Sequence, residues 1–283
     1  MSYARRVLKF WLPYGLVHLR RKYAPQRVAP DLRQRVEARA RRRAEARAQA
    51  AAPNPREFSY ENALRFLDEL GIDPFHTRDG SMPLASLEFM RRHFDRLDGS
   101  RPVAALHIGN FVGVSLAYLA QAVSELHAGS KVVSIDPNLT HRGVVRTMET
   151  VLALLTYFGL EDRVAILTGY SLEKNVSNQG EIFEGYDPVA NWKNERACTH
   201  QLDLLNTLAP SRFDLCLMDG NHEGDYLRRE LGQVHRLLRP GGILVLDDVS
   251  VGWPEIQSVF SGTSPDQFQK LGADDRIGLL IRS

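Results

Sequence analysis

From residue 103 onward the chain alternates between short apolar runs and longer stretches in which apolar positions recur every three or four residues. The runs at 103–108, 131–135, 164–167, 213–218 and 243–246 have strand length and few polar interruptions, as strands buried on both faces do. Helical periodicity fills about 113–126, 143–158, 196–208 and 225–238 between them. Strict alternation of this kind predicts a parallel sheet with helices on both faces. The last of these helices is stopped by Arg239-Pro240-Gly241-Gly242, and two further short runs at 267–271 and 277–281 predict a hairpin that closes the sheet. Upstream, 60–70 and 84–97 read as amphipathic helices joined through Gly71-Ile-Asp-Pro74 and the turn Asp79-Gly-Ser-Met-Pro83. The predicted body is therefore an α/β domain over 53–283, with seven strands and no internal repeat.

Residues 1–52 do not share this pattern. The first 50 carry 14 Lys/Arg against Asp31, Glu37 and Glu45, a net of +11; since the whole chain is +2, everything after them sums to −9. An apolar stretch at 7–19 with Phe10, Trp11 and Tyr14 is flanked by Arg5-Arg6 and Arg20-Arg21-Lys22. It is too short to span a bilayer, but its pattern is that of an in-plane anchor on an anionic membrane surface, assigned to residues 1–30. Packing of the same stretch on the body or on a second copy in a homo-oligomer is the alternative, and both readings stand. Residues 31–52 are almost entirely Arg, Ala, Glu and Gln and predict a solvated helix or spacer. That helix lacks interleaved aromatics, so its attraction to nucleic acid would be nonspecific and a nucleic-acid partner is not expected. Pro53-Asn-Pro55 marks the boundary to the body. With 43% hydrophobic residues, two cysteines (Cys198 and Cys216), no membrane-span-length run and no signal cleavage pattern, the expectation is a cytoplasmic protein, peripheral at the inner membrane face if the arm binds lipid.

The candidate chemistry lies at predicted strand ends. Phe213-Asp-Leu-Cys-Leu-Met-Asp-Gly-Asn-His222 places Asp219 at the end of one strand, and Gly241-Gly-Ile-Leu-Val-Leu-Asp-Asp248 places Asp247 and Asp248 at the end of the next. In an open α/β sheet that edge is where ligands bind. Three carboxylates there, as hard oxygen donors, suit Mg²⁺ or another divalent cation, with His222 beside them. Single aspartates at such positions also cap helices and turns. At the first strand end, Gly109 and Gly113 stand four apart, and Asp136 ends the second strand. A glycine turn lets a ligand approach the backbone, and an acid in that register can accept from the two hydroxyls of a ribose. Phe111 and Val114 occupy glycine positions of the dinucleotide fingerprint, which points to a nucleoside-containing cofactor other than a dinucleotide.

Taken together, these residues resemble the class I S-adenosylmethionine-dependent methyltransferases, and within them the metal-dependent O-methyltransferases of the catechol and caffeoyl-CoA type and bacterial methyltransferases of sugars. Ile108-Gly-Asn-Phe-Val-Gly-Val-Ser115 is similar to their glycine loop, Asp136 to their ribose acid, Gly169-Tyr-Ser171 to their adenine loop, Asp219 to their first metal aspartate and Asp247-Asp248 to their Asp-Asn pair. The resemblance runs from about Gly80 to the C-terminus. It implies a Rossmann-like sheet and an S-adenosylmethionine site formed by Gly109, Asn110, Phe111, Gly113, Ser115, Asp136, Ser171 and Asp219. It also implies a metal held by Asp219, Asp247 and Asp248, and transfer of a methyl group to a hydroxyl of a sugar, glycan or other small polyhydroxylated acceptor. Three departures bear on it. His107 stands where an acid usually helps to hold the methionine end of the cofactor, and Asp248 replaces Asn. His222 occupies the position of the catalytic lysine, and a histidine needs no burial to be neutral near physiological pH, so it is the expected general base. The segment 172–195, with Tyr186 and Trp192, reads as a lid or binding loop. Trp253 is either a core residue or part of the acceptor site; His141 and His200 read as ordinary surface or loop residues. A nucleic-acid methyltransferase using the basic arm, and a cofactor-binding membrane scaffold without catalysis, are the other two readings.

Overall fold

The computed structural model describes residues 57–173 and 200–283. The arm, its boundary at Pro53–Pro55, the loop residues Tyr186 and Trp192, and Cys198 lie outside the described residues. Within them, three helices come first: α1 (Tyr60–Glu69), α2 (Pro74–Asp79) and α3 (Leu84–Arg91). The short helix α2 replaces part of the expected linker. Its local signals are plain in retrospect: Asp73 caps it by accepting from the Phe75 amide at 2.9 Å, and Pro74 stands at its first position.

The repeating unit follows as β1 (Ala104–Ile108), α4 (Val114–Leu126), β2 (Lys131–Asp136), α5 (Thr147–Tyr157), β3 (Val164–Thr168), α6 (Gln201–Leu208), β4 (Phe213–Met218), α7 (Gly224–Leu237), β5 (Leu238–Leu246), α8 (Pro254–Ser261), β6 (Phe268–Ala273) and β7 (Gly278–Arg282). Among the described residues the seven strands form one sheet, ordered β3-β2-β1-β4-β5-β7-β6. The first five strands are parallel and β7 runs antiparallel beside β5 and β6, the predicted closing hairpin. The order reverses between β1 and β4, which makes the crevice above their carboxyl ends the expected ligand site of an open α/β sheet. The largest difference from the sequence reading is β5, which begins at Leu238 and so includes the residues read as a helix stop. Gly241 takes φ +77 there, and the register to β4 shifts between Phe213 and Leu215.

Both sheet faces are buried. One face packs Ala105, Leu215, Leu217, Ile243, Val245 and Leu279 against α1, α3, α4 and α5; the other packs Leu106, Cys216, Met218, Leu244 and Leu280 against α7 and α8. These side chains alternate along each strand, as the two-residue repeat requires. At the end of the sheet away from the crevice, Asp214 is held by Arg101 at 2.7 Å, Arg239 at 2.9 Å and the Ala104 amide at 2.9 Å. Among the described residues no helix is long and apolar enough to cross a membrane.

Candidate active site

A pocket of about 490 Å³ opens at the carboxyl ends of β1, β2, β4 and β5. Its floor is made where the turns after β1 and β4 approach each other. A side-chain carbon on Gly109 would lie 1.8 Å from the carbonyl oxygen of Asp219, and Gly109 has φ +92, so only glycine fits between the two turns. The turn is pinned from the side by Asp136, whose carboxylate accepts from the backbone amides of Asn110 and Asn138. Burial raises the pKa of Asp136, and these amide hydrogen bonds oppose the rise.

Of the residues assigned from sequence to the cofactor, Gly109, Phe111, Asp136, Ser171 and Asp219 line this pocket, while Asn110, Gly113 and Ser115 do not. Asn110 is buried beneath the turn, where its side-chain oxygen accepts from the Ser134 hydroxyl. Ser115 is buried too, with its Oγ 3.1 Å from Nε2 of His107. The histidine that replaces the expected acid is thus an internal prop of the turn. Complete burial holds its pKa down to about 3, so it is neutral. On the adenine-loop side, the Ser171 hydroxyl lies 2.9 Å from that of Tyr226 and donates to the buried carboxylate of Glu230. Tyr226 and Glu230 come from α7 and line the pocket; a sequence reading confined to strand ends missed both.

The acidic side is arranged differently from its sequence reading. Asp219 is forced well above the usual carboxylate range by burial and then by the charge of Asp247. Asp248 sits in left-handed backbone at φ +57, a conformation uncommon outside glycine, and its Oδ2 lies 2.8 Å from Nε2 of His222. Burial works against ionisation of Asp248, but the His222 hydrogen bond and the charge of Arg276 outweigh it and lower its pKa. His222 stacks on Trp253, with ring centres 4.2 Å apart and planes 21° from parallel, so Trp253 belongs to the pocket wall. The turn carrying His222 is closed by the Asn221 side chain, which accepts from the Glu223 amide at 2.7 Å.

Asp247 does not join this group. Its two carboxylate oxygens accept from Nε and Nη2 of Arg276 at 2.8 and 2.6 Å. Among the described residues, the side chains whose ligand atoms do come within 4.8 Å of one another are Asp219, His222 and Asp248. These do not fit Mg²⁺ as the three carboxylates were expected to: imidazole is a poor partner for a hard cation, and the imidazole nitrogen and one Asp248 oxygen already bind each other. The other Asp248 oxygen lies 3.6 Å from the Arg276 guanidinium.

Across the pocket stand Asp79 at the end of α2 and Arg142 in the loop after β2, which form an ion pair. Nε of Arg142 is buried without a hydrogen-bond partner among the described residues. His141 lines the pocket as well, with its ring edge-on to Phe111 at 5.0 Å.

Comparison with known proteins agrees with this fold. The O-methyltransferase of Bacillus cereus, solved in complex with SAH, is similar at a TM-score of 0.50 and 15% identity, over 84% of this chain and 97% of that one. An SAH-bound methyltransferase of Podospora anserina is similar at a TM-score of 0.51 and 14% identity, over 92% of this chain and 99% of that one. At such identities the likeness is one of fold. No curated protein matches the chain in sequence. A family model described as a methyltransferase domain matches residues 106–249, from the middle of β1 past the end of β5 and just over half of the chain. The chain belongs to that methyltransferase-domain family, and its fold is that of a class I methyltransferase.

Proposed function

We propose that the protein is an S-adenosylmethionine-dependent O-methyltransferase whose general base is His222. The observation that carries this reading is one pocket with Asp136 and the Gly109 turn on one side and the His222–Asp248 pair on the other. Bound there, S-adenosylmethionine supplies an activated methyl group on a sulfonium. Asp136 suits the ribose hydroxyls, and the glycine turn leaves room for the ligand against the backbone. Asp248 orients the imidazole of His222 through Nε2, and its carboxylate stabilises the imidazolium formed when the ring takes the acceptor's hydroxyl proton. The Trp253 stack restricts the imidazole to one plane. No covalent intermediate on the protein is needed.

The acceptor in this reading is a hydroxyl of a sugar, glycan or other small polyhydroxylated molecule. Trp253 offers an aromatic face, and Asp79 and Arg142 offer a charged wall, the mixture of apolar platform and hydrogen-bonding groups that a polyol requires. Residues 1–30 are proposed to hold the enzyme at an anionic membrane surface, on their charge and aromatic pattern. Sedimentation with anionic vesicles, full length against a chain lacking residues 1–50, checks that part.

The main test is calorimetry with S-adenosylhomocysteine, followed by transfer assays from S-adenosylmethionine to panels of glycans, polyols and catechols. Binding of the cofactor product is expected, and His222→Ala should cut turnover by roughly 10² to 10⁴-fold while leaving that binding intact. Absence of S-adenosylhomocysteine binding would remove the cofactor assignment. Full turnover in His222→Ala would remove the base.

A further inference from the structure

We propose that Arg276 is the resident cation of the acidic centre, holding the place among Asp219, Asp247 and Asp248 that a divalent metal would take, so that the site works without one. The proposal rests on the functional reading above only in taking this pocket as the active site. Its own support is geometric. Arg276 lies between Asp274-Asp275 and β7, far from the aspartates in sequence. The antiparallel pairing of β5 and β7 sets Leu246 opposite Gly278, and continuing that register by two residues sets Asp248 opposite Arg276. At the left-handed Asp248 the register slips by one residue, so that the next amide, that of Val249, also faces Arg276 and donates to its carbonyl at 2.6 Å. The turn before Arg276 is itself fixed, because Asp274 Oδ1 accepts from the amides of Arg276 and Ile277 at 2.8 and 2.6 Å. The guanidinium is therefore delivered to the carboxylates by the sheet and by an ordered turn.

Its contacts leave little for an ion to use. The fork of Nε and Nη2 takes both oxygens of Asp247, whose side chain is 1% exposed. Nε also stands 3.6 Å from Asp248 Oδ1, while His222 holds Asp248 Oδ2. A divalent cation needs oxygen atoms at about 2.0–2.6 Å. To obtain them from Asp247 or Asp248 it would have to break a bidentate, charge-assisted pair or the His222 bond, and then sit beside a guanidinium that cannot lose its proton. Nη1 of Arg276 donates to none of the described residues, and Arg276 lines the pocket, so one donor of the resident cation is uncommitted there.

The experiment reads metal binding directly, with Mn²⁺ alone as the probe, on the full-length chain. In electron paramagnetic resonance, wild type should leave the free Mn²⁺ signal unchanged, and Arg276→Met should remove one equivalent of it, because the carboxylates then lose their counter-ion. The double variant Arg276→Met/Asp247→Asn keeps the local charge balanced and serves if the single variant does not fold, with the same gain expected at weaker affinity. Stoichiometric Mn²⁺ binding by wild type that Asp219→Asn abolishes would overturn the proposal. So would folded Arg276 variants that bind no Mn²⁺, since the carboxylates would then not form an ion site at all. Calorimetry with S-adenosylhomocysteine on the same samples separates the two readings: its failure removes the cofactor assignment whatever Mn²⁺ does.

Discussion

Replacing His107 by glutamine should make the protein less sensitive to mild acid, and the size of the effect follows from where the ring sits. His107 is wholly inaccessible to solvent on β1, with Nε2 beside Ser115 and Nδ1 without a hydrogen-bond partner among the described residues. Its pKa is held down to about 3 by burial, which outweighs the opposing influence of the neighbouring Asn110 side chain. An unfolded histidine titrates near 6.5. Because the folded value is the lower one, the unfolded chain binds the extra proton, and stability falls as the pH drops from about 6.5 toward about 3. At about 1.4 kcal/mol for each pKa unit, the full interval is worth about 5 kcal/mol, of which about 2 kcal/mol is lost by pH 5. Urea unfolding of wild type and His107→Gln at pH 7 and pH 5 isolates this share, since the carboxylates titrate in both proteins and cancel in the difference. Wild type should lose about 2 kcal/mol more than the variant between the two pH values. Equal losses would refute the argument and show that the ring is hydrated or that a neighbour stabilises its proton. Should the variant not fold, the imidazole resonances of wild type, followed by NMR as the pH is lowered, must show one histidine that stays neutral well below pH 5.

Two other substitutions probe the turn that His107 supports. Asp136→Ala should weaken S-adenosylhomocysteine binding at least roughly tenfold by calorimetry, about 1.4 kcal/mol, through loss of the ribose acceptor and of the amide bonds that shape the turn; unchanged affinity would take Asp136 out of the site. Gly109→Ala should cost well over the roughly 1 kcal/mol of a typical point substitution, because the added carbon meets a backbone carbonyl and the backbone is left-handed; a thermal midpoint equal to wild type would mean that the two turns can move apart.

The halves of the site differ in how far sequence alone reveals them, and the cause is the range of the interactions. Gly109, Phe111 and Asp136 belong to one strand–turn–helix and the end of the next strand, so their meeting is implied by the parallel pattern itself. Ser115 shows the limit of that logic: a polar residue one position after Val114 at the start of α4 looks like a ligand group, yet the helix turns it inward onto His107. The acidic half depends on a partner from the last hairpin. Its strands are legible as short apolar runs, and their pairing as a hairpin follows from proximity in the chain. What the pattern of residues does not contain is the register of β7 against β5, which decides whether Arg276 faces Asp248 or slides past it.

That register also explains why counting carboxylates misleads at this sheet edge. Asp247 and Asp248 are adjacent, so on a strand-like backbone their side chains leave on opposite sides. The left-handed backbone at Asp248 re-aims the chain just past β5, with its carboxylate at His222 while Asp247 remains buried against Arg276. Restoring an ordinary backbone there would take Asp248 away from the imidazole it orients. Since glycine adopts φ near +57 without strain, Asp248→Gly should preserve the turn while deleting the carboxylate, whereas Asp248→Ala removes the carboxylate and keeps the strain. The glycine variant should therefore be the more stable of the two, and both should lose turnover alike, since neither can orient His222. If the alanine variant proved as stable as the glycine variant, strain at this position would be negligible, and the placement of Asp248 would have to be attributed to the His222 and Arg276 contacts alone.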